Sequence, residues 1–142
     1  MLKQISMFLE NKPGRLAQVC RGMAQEGVNI RALSLADTKD FGLLRLIVDN
    51  PDLAEEKLKA RGFLVTITDV VGVKVPDKPG GLALALEPLD SEGVSVEYMY
   101  AFLGKSGDNA MVILRLDDSQ KGIEVLQRHN VDLMMPEEVY IN

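Results

Sequence analysis

The chain has 142 residues, 46% of them hydrophobic and 26% charged, with a net charge of −5. This is the composition of a soluble globular protein, and its acidic balance speaks against the basic face that nucleic-acid binding requires. No run of about 18 apolar residues occurs, so no membrane span is predicted, and Met1-Leu2-Lys3-Gln4 does not start a signal-peptide core.

The chain divides by pattern into elements. Ile5, Met7 and Leu9 alternate with Ser6, Phe8 and Glu10, which predicts a strand with one strongly apolar face. Leu16, Val19, Cys20, Met23 and Ala24 follow helical spacing, and Gly27 ends that helix. A strand from Val28 to about Ala36, a polar turn at Thr38-Lys39-Asp40 and a strand from Phe41 to Val48 predict a hairpin. Asn50-Pro51 reads as a cap and a first-turn proline for a helix holding Leu53, Ala54 and Leu58. Val65 to Val71 is β-rich and runs unbroken into Val73 and Val75, with no Gly/Ser linker, so a close and rigid junction is expected.

The order then repeats. Leu82, Leu86 and Leu89 form a helical stripe that contains Pro88, which predicts a kinked or shortened helix. Val94 to Phe102 and Met111 to Leu116 make the second hairpin, turning at Gly104 to Asp108. Asp117 or Asp118 caps a helix with Ile123 and Leu126 that ends at Asn130, and Glu138-Val139-Tyr140-Ile141 is expected as a last edge strand.

Pro13 pairs with Pro79, Gly27 with Gly93 and Ile30 with Val96, all 66 residues apart, and Val48 pairs with Leu116 at 68. The two extra residues fall in the second hairpin turn, where a duplicated fold tolerates insertion. Each copy reads β-α-β-β-α-β, so the predicted class is α+β: two ferredoxin-like modules, residues 1–69 and 70–142, each an antiparallel sheet with helices on one face. Modules of about 70 residues bury only about 60% of their unfolded surface and gain by association.

The most informative stretch is Asn11-Lys12-Pro13-Gly14-Arg15-Leu16, which returns as Asp77-Lys78-Pro79-Gly80-Gly81-Leu82. Each follows a strand and precedes a helix. Pro13 and Pro79 suit the first helical position, and Gly14 and Gly80 allow another group to approach the backbone closely. The free amides of the first helical turn and the helix dipole then favour a carboxylate or phosphate. One such loop is ordinarily a helix start and nothing more; two at matched places argue for binding.

Together with Gly27-Val28-Asn29-Ile30 after the first helix, these loops resemble the ACT domain, a family of amino-acid-sensing regulatory modules. The second copy departs at the turn, reading Gly93-Val94-Ser95-Val96. The resemblance implies a free amino acid as ligand. It carries ligand contacts onto Asn11, Gly14 and Asn29, and in copy two onto Asp77, Gly80 and Ser95. It also implies that the loop of one module faces the second strand of its neighbour. Loop 11–16 would then face Ser95, Val96 and Tyr98, and loop 77–82 would face Asn29, Ile30 and Ala32.

No catalytic set is apparent, so no enzyme is predicted. The phosphate-loop and dinucleotide motifs are absent. One cysteine, Cys20, and one histidine, His129, offer no metal site, and no cofactor is expected. Cys20 reads as a reduced core thiol, which favours a cytoplasmic setting. His129 reads as a charge favourable to a helix C-terminus. Leu43-Leu44-Arg45-Leu46-Ile47-Val48 and Met111-Val112-Ile113-Leu114-Arg115-Leu116 are apolar on both faces, which predicts a homodimer or larger. The function expected is a non-catalytic amino-acid sensor. The alternative is a regulatory subunit that mainly holds an enzyme of amino-acid or organic-acid metabolism.

Overall fold

Period-two alternation in the first strand buries Ile5, Met7 and Leu9 completely or nearly so and leaves Phe8 55% exposed. In the computed structural model, which describes residues 1–37, 40–104 and 107–140, that strand is β1 (Leu2–Glu10). It leads to α1 (Arg15–Gln25), β2 (Ile30–Asp37), β3 (Phe41–Val48), α2 (Pro51–Ala60) and β4 (Val65–Pro76). The order then repeats as α3 (Ala83–Ser91), β5 (Val96–Ala101), β6 (Asn109–Leu116), α4 (Ser119–Arg128) and β7 (Asp132–Leu133), with a short α5 (Pro136–Val139) at the end. Thr38, Lys39, Lys105, Ser106 and Ile141 of the expected turns and tail lie outside the described residues.

Two bodies result, one of Lys3–Thr68 with the residues from Val139 onward, the other of Met1–Leu2 with Asp69–Glu138. The first has strand order β2-β3-β1-β4 and the second β5-β6-β4-β7. Each is the α+β, split-βαβ arrangement expected from the sequence: β3 runs antiparallel to both β1 and β2, so a helical crossover must join those two. In the first body Ile5, Met7, Leu44, Leu46 and Val48 meet Val19, Met23, Ala54 and Leu58 of the helices. Full burial of one such leucine contributes about 1.5–3 kcal/mol. The second body repeats this with Val73, Val75, Leu114 and Leu116 against Ala85, Leu89, Val125 and Leu126.

The duplication extends to hydrogen bonds. Asn50 caps α2 by accepting from the Leu53 amide at 3.3 Å, and Asp118 caps α4 by accepting from the Lys121 amide at 3.0 Å. The preceding aspartates do other work. Asp49 accepts from the Asn29 amide at 2.9 Å and Asp117 from the Ser95 amide at 3.0 Å. One aspartate thus ties the start of the second strand, and its neighbour caps the helix.

Several expectations are corrected. Pro13 and Pro79 do not start helices: they sit in turns, and α1 begins at Arg15 and α3 at Ala83. Ala24 is exposed, and Cys20 is half-buried and free. The Pro88 expectation agrees with the structure: Pro88 lies within α3, which is the shorter helix, 9 residues against 11 in α1. The expected last strand at Glu138 to Tyr140 does not form among the described residues. The strand that pairs with β4 is Asp132–Leu133, and Glu138 and Val139 are helical. The reason is local: Pro136 favours a helical first turn, and Glu138 accepts the Met135 amide at 2.8 Å while pairing with Lys74. His129 does stand at a helix C-terminus, but its Nε2 lies 3.1 Å from Glu92, which Arg128 also holds at 2.7 Å. Ile47 and Ile113 are fully buried within one chain, so those two side chains do not call for a second copy to cover them.

The Lys74 ammonium, and then the Met135 amide, hold the Glu138 carboxyl below its ordinary range. A depressed carboxyl stabilises above its unfolded pKa and loses that contribution as pH falls through its folded value. Glu138→Gln is therefore expected to weaken hydrogen-exchange protection of α5 at neutral pH. The difference from the parent chain should shrink as pH falls below the ordinary carboxyl range and vanish only below the depressed folded pKa, where the carboxyl is protonated in folded and unfolded chain alike. Equal protection at pH 7 would show that the pair does not hold α5.

Candidate functional site

Each loop is fixed at its strand end. The Asn11 amide donates to the Asp40 carbonyl at 3.1 Å, and the Asp77 amide to the Asp108 carbonyl at 3.0 Å. The loop then closes on itself: the Arg15 amide donates to the Lys12 carbonyl at 3.3 Å and the Gly81 amide to the Lys78 carbonyl at 2.9 Å. Gly14 and Gly80 have φ of 85° and 83°. That left-handed backbone explains the glycines, since a Cβ at either would meet nothing within 4 Å of the chain. Of the amides of Gly14, Arg15 and Leu16 around the helix start, that of Arg15 is thus already engaged. Those of Gly14 and Leu16 make none of the loop hydrogen bonds among the described residues.

A cavity of about 160 Å³ opens beside the first loop. Asn11, Lys12, Arg15 and Leu16 line it, as do four residues that the sequence did not nominate as ligand contacts: Leu9, Glu10, Leu35 and Gly42. Pairing explains them. Leu9 stands opposite Gly42 across β1–β3, and Leu35 is one place from the Ala36–Leu43 pair across β2–β3. A glycine inside a strand was the one available signal, marking space for a neighbour; here it accommodates the Leu35 side chain, 3.0 Å from where a Cβ would stand. The cavity is smaller than the roughly 300–1,000 Å³ typical of drug-sized ligands, which suits one small metabolite.

Charge in the cavity is uneven. Lys12 Nζ pairs with Glu10 at 2.8 Å, and that contact lowers the Glu10 pKa. Arg15 donates from Nη1 to Gln18 at 3.1 Å and lies over the Phe63 ring, 5.0 Å from its centre. Its Nε is buried without a partner. Among the described lining residues, one carboxylate and two cations leave an excess of one positive charge.

The second loop is built differently. Arg15 is matched by Gly81, where a Cβ would overlap the Pro76 carbonyl oxygen. No side chain can be presented from that position. Asp77, Lys78, Pro79 and Gly80 are exposed, and Leu82 is half-buried. Elsewhere in the same body Ser95, Val96 and Tyr98 line a wider groove of about 570 Å³ along α3 and β5, with Leu86, Leu89 and Met99.

Within one body the loop and the turn motif stand apart. The first loop adjoins Gly42, whereas Ile30, next to Asn29, pairs with Val48. Six residues of extended chain separate those levels, roughly 20 Å. The second body repeats this: Pro76 pairs with Asn109, and Val96 with Leu116.

A family model described as an ACT domain pair matches residues 1–141. The chain belongs to the ACT domain pair family. Its ACT modules are similar over 99% of the chain to protein BT0572 from Bacteroides thetaiotaomicron, at 45% identity, with 96% of that chain covered and a TM-score of 0.92. The regulatory subunit of aspartate kinase from Thermus thermophilus matches at 18% identity over 89% of this ACT pair and 91% of that chain, with a TM-score of 0.64. A chain from a solved structure of aspartokinase alpha and beta subunits matches at 16% identity over 90% and 91%, with a TM-score of 0.59. These last two likenesses show the fold. No curated protein matches the chain. Among the described residues there is no group of three or more potential metal ligands, and no helix is long and apolar enough to cross a membrane.

The Gly81 contact sets a stability test. Gly81→Ala forces the loop away from the Pro76 carbonyl and is expected to destabilise the ACT pair by about 1–3 kcal/mol, read as a lower urea midpoint. An unchanged midpoint would show that the loop is not held against that carbonyl.

Proposed function

We propose that this ACT pair is a non-catalytic regulatory protein that binds a free amino acid. The ligand lies on a strand-to-helix loop and is completed by the second strand of a neighbouring ACT module, in the same chain or in a second copy. The observation that carries this reading is the spacing inside each body. The loop and the Asn29 or Ser95 turn are roughly 20 Å apart by strand register, so a small ligand that uses both motifs needs them from different modules.

The chemistry suits a zwitterion. The Gly14 and Leu16 amides at the start of α1 favour a carboxylate. The Asn11 side-chain oxygen is an acceptor for an amine, as is the Asp77 carboxylate in the second loop. The contact set of this proposal is Asn11, Lys12, Pro13, Gly14, Arg15 and Leu16 with Ser95, Val96 and Tyr98, and, for the second loop, Asp77, Lys78, Pro79, Gly80, Gly81 and Leu82 with Asn29 and Ile30. Binding acts by favouring one packing of the assembly, and only to the extent that affinity differs between packings. We read the assembly as a homodimer or larger, acting in the cytoplasm. Phe8 and Phe41, 55% and 50% exposed, are apolar surface available to such an assembly, and free Cys20 suits a reducing compartment.

A second reading gives the same fold the main task of holding an enzyme of amino-acid or organic-acid metabolism. Its support is the fold likeness to the aspartate kinase regulatory subunit, which the chain matches almost end to end.

A thermal-shift screen against the common amino acids separates the two. A ligand at about one hundred times its Kd stabilises by about 2.7 kcal/mol, a shift of several degrees for modules this small. A selective shift supports sensing. A flat screen at millimolar concentrations, with an enzyme retained in a pull-down, supports the second reading.

A further inference from the structure

We infer that the first loop selects an acidic amino acid, one with a second carboxylate on its side chain, and that Arg15 is the residue that selects it. This rests on the amino-acid-binding reading above and goes beyond it by naming the ligand class and by separating the two loops. Three observations converge. First, Arg15 lines the cavity beside Lys12, and the only carboxylate among the described lining residues, Glu10, is bonded by Lys12 at 2.8 Å and feels Arg15 only through its charge at longer range. The guanidinium has no ion pair within 4 Å among the described residues; its hydrogen bond goes to the neutral Gln18 amide. Second, its Nε is buried without an acceptor. That Nε is closed to the cavity, so a carboxylate takes the guanidinium end-on through its two terminal nitrogens, a forked geometry that arginine also offers. Third, the Phe63 ring beneath the guanidinium holds it at the cavity wall, which reduces the side-chain entropy lost on binding.

The ligand's two anionic groups then have separate seats. The α-carboxylate takes the Gly14 and Leu16 amides, and the side-chain carboxylate takes Arg15. Neutral isosteres keep the first seat and leave the guanidinium unmatched. The second loop does not make this distinction, because Gly81 stands in the matching position and its contact with the Pro76 carbonyl admits no side chain.

The test is isothermal calorimetry on the whole chain with L-aspartate against L-asparagine and L-glutamate against L-glutamine. At least one acid is expected to bind about tenfold or more tightly than its amide. Arg15→Gln is expected to erase that preference at an unchanged unfolding midpoint, and Arg15→Lys to retain part of it. An amide that binds the parent chain as tightly as its acid, or a preference that survives Arg15→Gln, overturns the inference and leaves amino-acid sensing intact. Selective binding of another, neutral amino acid does the same. If none of the common amino acids binds at millimolar concentration, the sensing reading falls as well.

Discussion

The left-handed backbone at Gly14, repeated at Gly80, is the constraint from which the rest of each module follows. A strand that must become a helix lying across its own sheet has to reverse direction within a few residues. A φ of 85° or 83° achieves this, and most side chains resist it. With the reversal made there, α1 lays Val19 and Met23 over Ile5 and Met7, and α3 lays Ala85 and Leu89 over Val73 and Val75. The same geometry leaves amide donors at the start of the helix. The binding chemistry proposed for the loop is therefore a consequence of how the fold turns its first corner.

Duplication preserved the scaffold and released the chemistry. Asp49 with Asn50 and Asp117 with Asp118 divide the same two tasks in the same order. Both bodies also tie the ends of their two helices by an acidic residue. Glu26 lies 3.9 Å from Arg61, and at the matching places Glu92 lies 3.1 Å from His129. The loops have diverged much further. Arg15 brings a guanidinium to a cavity, whereas Gly81 seats its backbone against Pro76. Two loops at matched places now differ in charge and in the room available for a side chain.

Sheet register gives the ACT pair a division of labour. The loop stands at one end of each sheet and the Asn29 or Ser95 turn at the other. On the proposed function, a module therefore offers half of a recognition surface at each end. Ligand binding by such halves is naturally linked to how modules assemble, which is the property a regulatory protein uses.

The sequence by itself determined much of this protein. Period-two and helical spacing, the offset of 66 residues and the two Pro-Gly loops specified an α+β tandem of β-α-β-β-α-β modules, because those patterns are local and repeat. Of the loop residues nominated at the first site, Asn11, Lys12, Arg15 and Leu16 line a cavity, and Pro13 and Gly14 are not in its lining. Where the decision depended on partners distant in the chain, only the tertiary structure made it. The turns at Pro13 and Pro79 looked like first helical positions, but their positive-φ glycines postpone the helices. The tail 138–141 alternates like a strand, yet the Lys74 contact and the Met135 amide hold Glu138 in a helical turn, and Asp132–Leu133 takes the place beside β4. Leu35 and Gly42 join the cavity through the register of three strands. The difference between Arg15 and Gly81 is plain as letters, but its meaning lies in the Phe63 ring under one and the Pro76 carbonyl against the other. Local periodicity is written along the chain; register, close approach and the pairing of charges depend on which distant residues arrive beside it.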